Sequence, residues 1–300
     1  MVHNGKRILL GPSSFAEQDK APLQKLLNDG FEVIKNPYKR KLTKAELLDL
    51  LPGVSGLIAG LEPLDREVLT NSDLKVVSRC GSGLSNIDLA AAKELGIIIK
   101  NTPQGPVTAV AELTVGCLLS LLRHVPQMDA DLHQKKWTKM MGKQLSDMQV
   151  AVIGYGNIGK KVGALLSAFG AKVLPVDPQL PNSVDLGSAL KQADVVSLHC
   201  SGEACLLGKD QINLMKKGAY LLNAARGSLV DEAALVEALK KGQIAGAWID
   251  AFQQEPYAGP LTQFTQVILT PHVGSYTLEC RRQMEMESVD NLISGLIKGE

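Results

Sequence analysis

Arg226, Glu255 and His272 are of the types that reduction of a 2-oxo acid needs, and each closely follows an apolar run. Such a reaction needs a cation to hold the carboxylate and polarise the ketone oxygen, and arginine does both through its planar fork of donors. It needs a proton donor for that oxygen, a task suited to histidine near neutral pH. It also needs an anion that orients the histidine and favours its charged form. Each residue alone has a plainer reading: a surface arginine, a loop Glu–Pro, a structural histidine. Together, behind a cofactor loop, the three outweigh those alternatives.

The cofactor loop is VAVIGYGNIGKKV, in which Gly154, Gly156 and Gly159 form GxGxxG. The motif is weak by itself, but here it follows an apolar run and opens a helical stretch, the context a dinucleotide requires. The helix N-terminus then presents free N–H groups and a positive dipole end to phosphates. Asp177 ends the next apolar run, at a spacing suited to the adenosine ribose. A carboxylate there accepts from the 2′-hydroxyl and repels a 2′-phosphate, so the expected cofactor is NAD rather than NADP. The alternative for Asp177 is a turn residue before Pro178.

These residues need strands to carry them. RILL (7–10), FEVI (31–34), GLIA (56–59), KVVS (75–78) and III (97–99) read as strands, with helices over 16–28, 43–51 and 64–70. Gly96 suits a helix C-cap. NTPQGP (101–106) reads as a linker. The stretch 109–125 is apolar nearly all round, which predicts a helix buried in a large interface, within the chain or between subunits. Pro126 is expected to end it, with a polar helix following through Lys136. A second series then alternates strands at 150–153, 172–176, 194–199, 219–223, 246–249 and 267–269 with helices, including one over 231–240. A long helix over Leu278–Lys298 is expected to pack back on the first domain. Buried strands alternating with helices predict an α/β fold of two doubly wound parallel-sheet domains.

Bulk properties narrow the class. A formal net charge of +1 gives no sign of a nucleic-acid or membrane surface. No apolar run reaches the length of a membrane span, and the N-terminal run is too short for a signal peptide. Cys80, Cys117, Cys200, Cys205 and Cys280 are scattered and odd in number, so reduced thiols in a cytoplasmic location are expected, with no metal site.

RCGSGLSNIDLAAAKELGI, NTP with AVAELTVG, VIGYGNIGK, NAARGSLVDEAAL, AGAWIDAFQQEP and LTPHVGS, in this order, resemble the D-isomer-specific 2-hydroxyacid dehydrogenases, including phosphoglycerate dehydrogenase. The resemblance runs along nearly the whole chain. It implies a discontinuous, flavodoxin-like substrate domain (1–100 with 276–300) and a Rossmann NAD-binding domain (101–275). It implies a homodimer through the helix near 109–125. Arg226, Glu255 and His272 match the family's catalytic positions, and Arg226 also meets substrate. Ser82 and Gly83 match the loop whose N–H groups receive the substrate carboxylate. Asn157, Ile158, Asp177, Cys200, Ala224, Ala225, Arg226, Asp250, His272, Gly274 and Ser275 match NAD contacts, beside Gly154, Gly156 and Gly159. Ser82–Gly83 could also be a plain turn, and Asp250 a strand-end cap.

Several departures stand out. CSGEACL replaces the usual proline and apolar residue on the adenine side, and the segment from Asp177 to Asp194 is short. Glu255 argues against a formate dehydrogenase, where relatives carry glutamine. The chain ends soon after its long helix, so the extra regulatory domain of some phosphoglycerate dehydrogenases is expected to be missing. Arg79 matches a cation used near a substrate phosphate, with Lys139 as a second, while Glu62 opposes them. Three substrate options stay open: 3-phosphoglycerate, glycerate/hydroxypyruvate as in glyoxylate/hydroxypyruvate reductases, and other small D-2-hydroxy acids. The fold also serves NAD(H)-sensing corepressors, which turnover of a 2-oxo acid would separate from an enzyme.

Overall fold

The computed structural model describes residues 6–202 and 204–298. By its contacts the chain divides into two units. One takes the described residues up to Pro106 and from Ser275 onward; the other is Val107–Gly274. By contacts the division falls after Pro106 rather than after residue 100, since Asn101 ends β5 and Thr102 is tied to the Gly81 turn. Thr102 donates from its N–H to the Gly81 carbonyl at 3.0 Å, and its Oγ1 accepts from Gly81 N at 2.8 Å.

The first unit holds five parallel strands: β1 (Arg7–Leu10), β2 (Glu32–Lys35), β3 (Val54–Ala59), β4 (Val76–Arg79) and β5 (Ile98–Asn101). Their order is β2-β1-β3-β4-β5. The helices between them are α1 (Ala21–Asn28), α2 (Lys44–Leu50), α3 (Arg66–Thr70) and α4 (Leu89–Glu94). Thr43 and Glu46 form a reciprocal capping box at α2, and Asp65 and Asp88 cap α3 and α4. The helix expected from residue 16 starts only at Ala21, since Ala16 is left-handed with φ 58° and Pro22 sits in the first helical turn. Gly96 follows the last turn of α4 at φ 71°, as a C-terminal glycine should. The C-terminal helix, Leu278–Lys298, packs on β3, β4, β5 and α1. Leu9, Leu57, Leu64 and Val77, all without exposed surface, centre one core cluster of this unit.

In the second unit α5 (Pro106–Leu122) and α6 (Val125–His133) precede six parallel strands. These are β6 (Gln149–Ile153), β7 (Lys172–Val176), β8 (Val195–Leu198), β9 (Ala219–Asn223), β10 (Ile244–Ile249) and β11 (Val267–Leu269), ordered β11-β10-β9-β8-β6-β7. Between them lie α7 (Asn157–Ala168), α8 (Leu186–Gln192), α9 (Lys209–Leu214) and α10 (Glu232–Lys240), and the C-terminal helix is α11. Pro126 does not end the helix before it. That helix stops at Leu122, His124 turns left-handed at φ 52°, and Pro126 lies in the first turn of α6, where no backbone donor is lost. The polar helix expected through Lys136 ends at His133. Much of the apolar surface of α5 is used within the unit. Ala111, Leu118 and Leu122 pack with Val150, Val152, Leu222 and Trp248, while Glu112 and Gly116 stay exposed. The short segment after Asp177 holds α8 and no further strand, so β7 is the sheet edge. No single helix among the described residues is long and apolar enough to cross a membrane.

Candidate active site

β9, β10 and β11 are neighbours and run parallel, so their C-terminal ends share one edge of the sheet. Asn223 ends β9 with 1% of its surface exposed. Its amide donates to the Arg226 carbonyl at 2.8 Å and accepts from Ala225 N at 3.1 Å, so it shapes the turn carrying Ala224, Ala225 and Arg226. Arg226 is half-buried and donates from Nη1 to the Ala225 carbonyl at 2.8 Å. The next residue must be glycine, because a Cβ on Gly227 would collide with the backbone of Phe252 and Gln253. This close approach joins the Arg226 turn to the loop holding Glu255.

On that loop Glu255 Oε1 accepts from Phe252 N at 3.1 Å. Its two oxygens lie 2.9 and 3.0 Å from His272 Nδ1. The contact leaves Nε2 as the ring atom available to a reactant. Both side chains are about one-third exposed, so solvent reaches the pair. His272 has φ 54°, a left-handed conformation that costs energy for a residue with a Cβ. Asp250, 1% exposed at the end of β10, supports this conformation. Its Oδ1 accepts from Thr270 Oγ1 at 2.6 Å and Val273 N at 2.9 Å, and its Oδ2 from Gly274 N at 2.8 Å. Thr270 Oγ1 in turn accepts from Trp248 Nε1 at 2.9 Å. The Asp250 carboxylate thus holds the His272–Gly274 loop from beneath. Ser275, just beyond, belongs by contacts to the first unit.

The glycine loop lies at the C-terminal end of β6, where strand order reverses between β6 and β8, the place open α/β sheets bind ligands. Gly154 has φ 86°, and a Cβ there would strike the backbone of His199 and Cys200. Gly159 abuts the Gly154 carbonyl. No side chain caps α7 at Gly156, so its first N–H groups, at Asn157, Ile158 and Gly159, are open to an anion. A Cβ on Gly156 would meet nothing within 4 Å, so there is room in front of them. Ile158 packs inward while Asn157 is exposed. Asp177 accepts from Tyr155 N at 2.8 Å and Gln179 N at 3.0 Å, which ties the second strand end to the loop. Its carboxylate remains half-buried at the rim. The unsatisfied helix start, the free space and the rim acid fit a dinucleotide. Burial pushes the Cys200 thiol up. It also pushes the neighbouring His199 down to about 4. Ser197 Oγ meets His199 Nε2 at 2.7 Å, while Nδ1 is enclosed with no partner among the described residues.

In the first unit, Ser82 and Gly83 follow β4 in a turn held by Asn101, whose Nδ2 donates to the Ser82 carbonyl at 2.7 Å. Among the described residues neither backbone N–H of this pair has an acceptor, which suits a carboxylate. Arg79, 8% exposed, turns inward and donates to the Cys80 carbonyl.

A model of the D-isomer specific 2-hydroxyacid dehydrogenase family, for its NAD-binding domain, matches residues 115–274. The chain belongs to that family. As a family member it carries an NAD-binding domain over the unit that holds Arg226, Glu255 and His272. It is 38% identical to D-3-phosphoglycerate dehydrogenase of Methanocaldococcus jannaschii over 80% of this chain, and spans only 49% of that enzyme. It is 33% identical to hydroxypyruvate reductase of Thermotoga maritima, covering 93% of this chain and 95% of that enzyme. The crystal structure of the TT0316 protein from Thermus thermophilus superposes with a TM-score of 0.88 at 34% identity, over 97% of both chains.

The structure brings Glu255 to His272 and packs the Arg226 turn against the Glu255 loop. Asn223, Thr270 and Trp248, which position this dehydrogenase-family site, were not expected from sequence. Their one signal was position: each lies in or just beyond a strand whose end carries a site residue. Among the described residues no group of three or more His, Cys, Asp or Glu side chains could hold a metal ion.

Proposed function

We propose that this protein is an NAD-dependent oxidoreductase interconverting a small D-2-hydroxy acid and its 2-oxo acid. The observation that carries the proposal is the His272–Glu255 pair on the NAD-binding unit, with the Arg226 turn packed against its loop. NADH, when bound, would supply the hydride for C2 of the oxo acid, and NAD would accept it in the reverse direction. The start of α7 and the glycine loop would hold its pyrophosphate, and Asp177 would take the ribose hydroxyls. Arg226 binds the substrate carboxylate and polarises the C2 oxygen. In the first unit, the N–H groups of Ser82 and Gly83, which have no acceptor among the described residues, are suited to a carboxylate. His272 gives that oxygen a proton from Nε2, while Glu255 fixes the ring through Nδ1 and balances its charge. A panel of 2-oxo acids with NADH oxidation as readout tests the proposal; no turnover of any of them would sink it.

We further propose a homodimer. Its support is a run of exposed apolar side chains after α5, at Val125, Leu132, Trp137 and Met141, together with the resemblance noted above. Sedimentation at micromolar concentration should show twice 32.1 kDa, and a stable monomer would refute the dimer. The scattered cysteines, all free in the structure, support a reducing compartment such as the cytoplasm.

A further inference from the structure

In the five-stranded sheet, strand order reverses between β1 and β3, and the crevice beyond their C-terminal ends is where such a sheet receives a ligand. The carboxyl of Glu62 fills that crevice. The residue is 1% exposed. Its Oε1 accepts from Gly60 N at 2.7 Å, and Asn86 Nδ2 holds its main-chain carbonyl at 2.7 Å. The carboxyl is wedged so closely between the strand ends that a Cβ on Gly11 would collide with it, and one on Gly60 would lie 2.8 Å from Oε2. Arg79, ending β4, is not turned outward either. Its guanidinium lies under the Gly81 turn, where a Cβ would strike it, and it donates to the Cys80 carbonyl. Burial raises the Glu62 carboxyl, while the Gly60 N–H, Arg79 and Lys41 pull it back toward the charged form.

We propose that Glu62 is a specificity residue that excludes a phosphorylated substrate, by filling the switch-point crevice of the first unit. The substrate class is then an unphosphorylated short 2-oxo acid whose distal group is hydrogen or hydroxyl. Two effects act together. The carboxyl occupies the volume a phosphate would need. In its charged form it also sets a negative group against a dianion, the built-in repulsion by which sites reject near relatives. Arg79, buried under the Gly81 turn and bonded to the Cys80 carbonyl, adds little attraction to offset this.

The inference rests on the dehydrogenase reading, so its test has one arm that does not need turnover. In the first arm, kcat/KM with NADH is compared for hydroxypyruvate and phosphohydroxypyruvate. The unmutated protein should favour hydroxypyruvate by at least ~10-fold, and Glu62→Ser should shift the ratio at least ~10-fold toward the phosphorylated acid. A preference of the unmutated protein for phosphohydroxypyruvate overturns the inference, as does an unchanged ratio in a folded Glu62→Ser protein. In the second arm, D-glycerate and 3-phosphoglycerate are compared by thermal shift of the unmutated, NAD-loaded protein. D-glycerate should raise Tm more. A larger rise with 3-phosphoglycerate overturns the inference even where Glu62→Ser fails to fold. Binding of D-glycerate without turnover of any 2-oxo acid sinks the dehydrogenase reading and leaves the role of Glu62 supported.

Discussion

Glu255 grips His272 through one ring atom, its two oxygens lying 2.9 and 3.0 Å from Nδ1, and so dedicates Nε2 to the reactant. His272→Ala should therefore lower kcat by at least ~100-fold, the low end for general acid catalysis. Glu255→Gln should retain part of the activity, since an amide can still orient the ring but no longer balances its charge. NADH affinity, read by fluorescence titration, should change little in Glu255→Gln. Near-normal kcat in His272→Ala would remove histidine from the chemistry.

Asp250 acts on the same histidine from below, through Val273 N, Gly274 N and Thr270 Oγ1. Asp250→Asn sets an amide NH2 against one or more of these donors. A buried donor left without an acceptor costs about 1–3 kcal/mol. Thermal unfolding should show a loss of that size, and kcat should fall about tenfold as His272 leaves its left-handed conformation. Unchanged stability with a large loss of NADH affinity would instead mean that Asp250 serves the cofactor.

Asp177 sits at the rim of the dinucleotide loop with its carboxylate tied to Tyr155 N. NADH should be preferred over NADPH, because a 2′-phosphate would meet this anion. Asp177→Ala should weaken NADH binding and narrow the preference by about tenfold. Equal use of the two cofactors by the unmutated protein would count decisively against this role.

His199 has its pKa lowered to about 4 by burial, from an ordinary 6.5. A depressed base gives stability that is full above its unfolded value and is lost as pH falls toward the folded one. His199 should thus cost the fold up to roughly 3 kcal/mol between pH 6.5 and 4. The raised carboxyls of Glu62 and Glu285 contribute the opposite slope, so the readout is a difference. Denaturant unfolding of His199→Gln should show a shallower acid loss than the unmutated protein. Parallel curves would show that His199 does not titrate on unfolding.

Several features were legible because they are local. The strand, glycine turn and helix of 149–168 lie within one stretch of chain, where Gly154 answers to the adjoining strand end and Gly159 to the Gly154 carbonyl. Strand positions followed from apolar runs, and 172–176, 219–223 and 267–269 fall where they were read. Arg226, Glu255 and His272 stood out because the reaction needs those three residue types at strand ends.

Local pattern could not say which way a side chain turns. Asp250 at a strand end is equally suited to a ligand or to a neighbouring loop. Packing of β10 beside β11 brings Val273 and Gly274 within reach of it, a contact that no local pattern shows. In sequence Arg79 matches a cation near a substrate phosphate; the tertiary structure shows the turn at Gly81 folding over its guanidinium. Pro126 read as a stop signal, yet a left-handed His124 made it the opening of a new helix. The charge of Glu62 was plain in the sequence. Only the convergence of β1 and β3, bringing Gly11 and Gly60, far apart in the chain, onto one carboxyl, made that side chain the buried filling of a crevice.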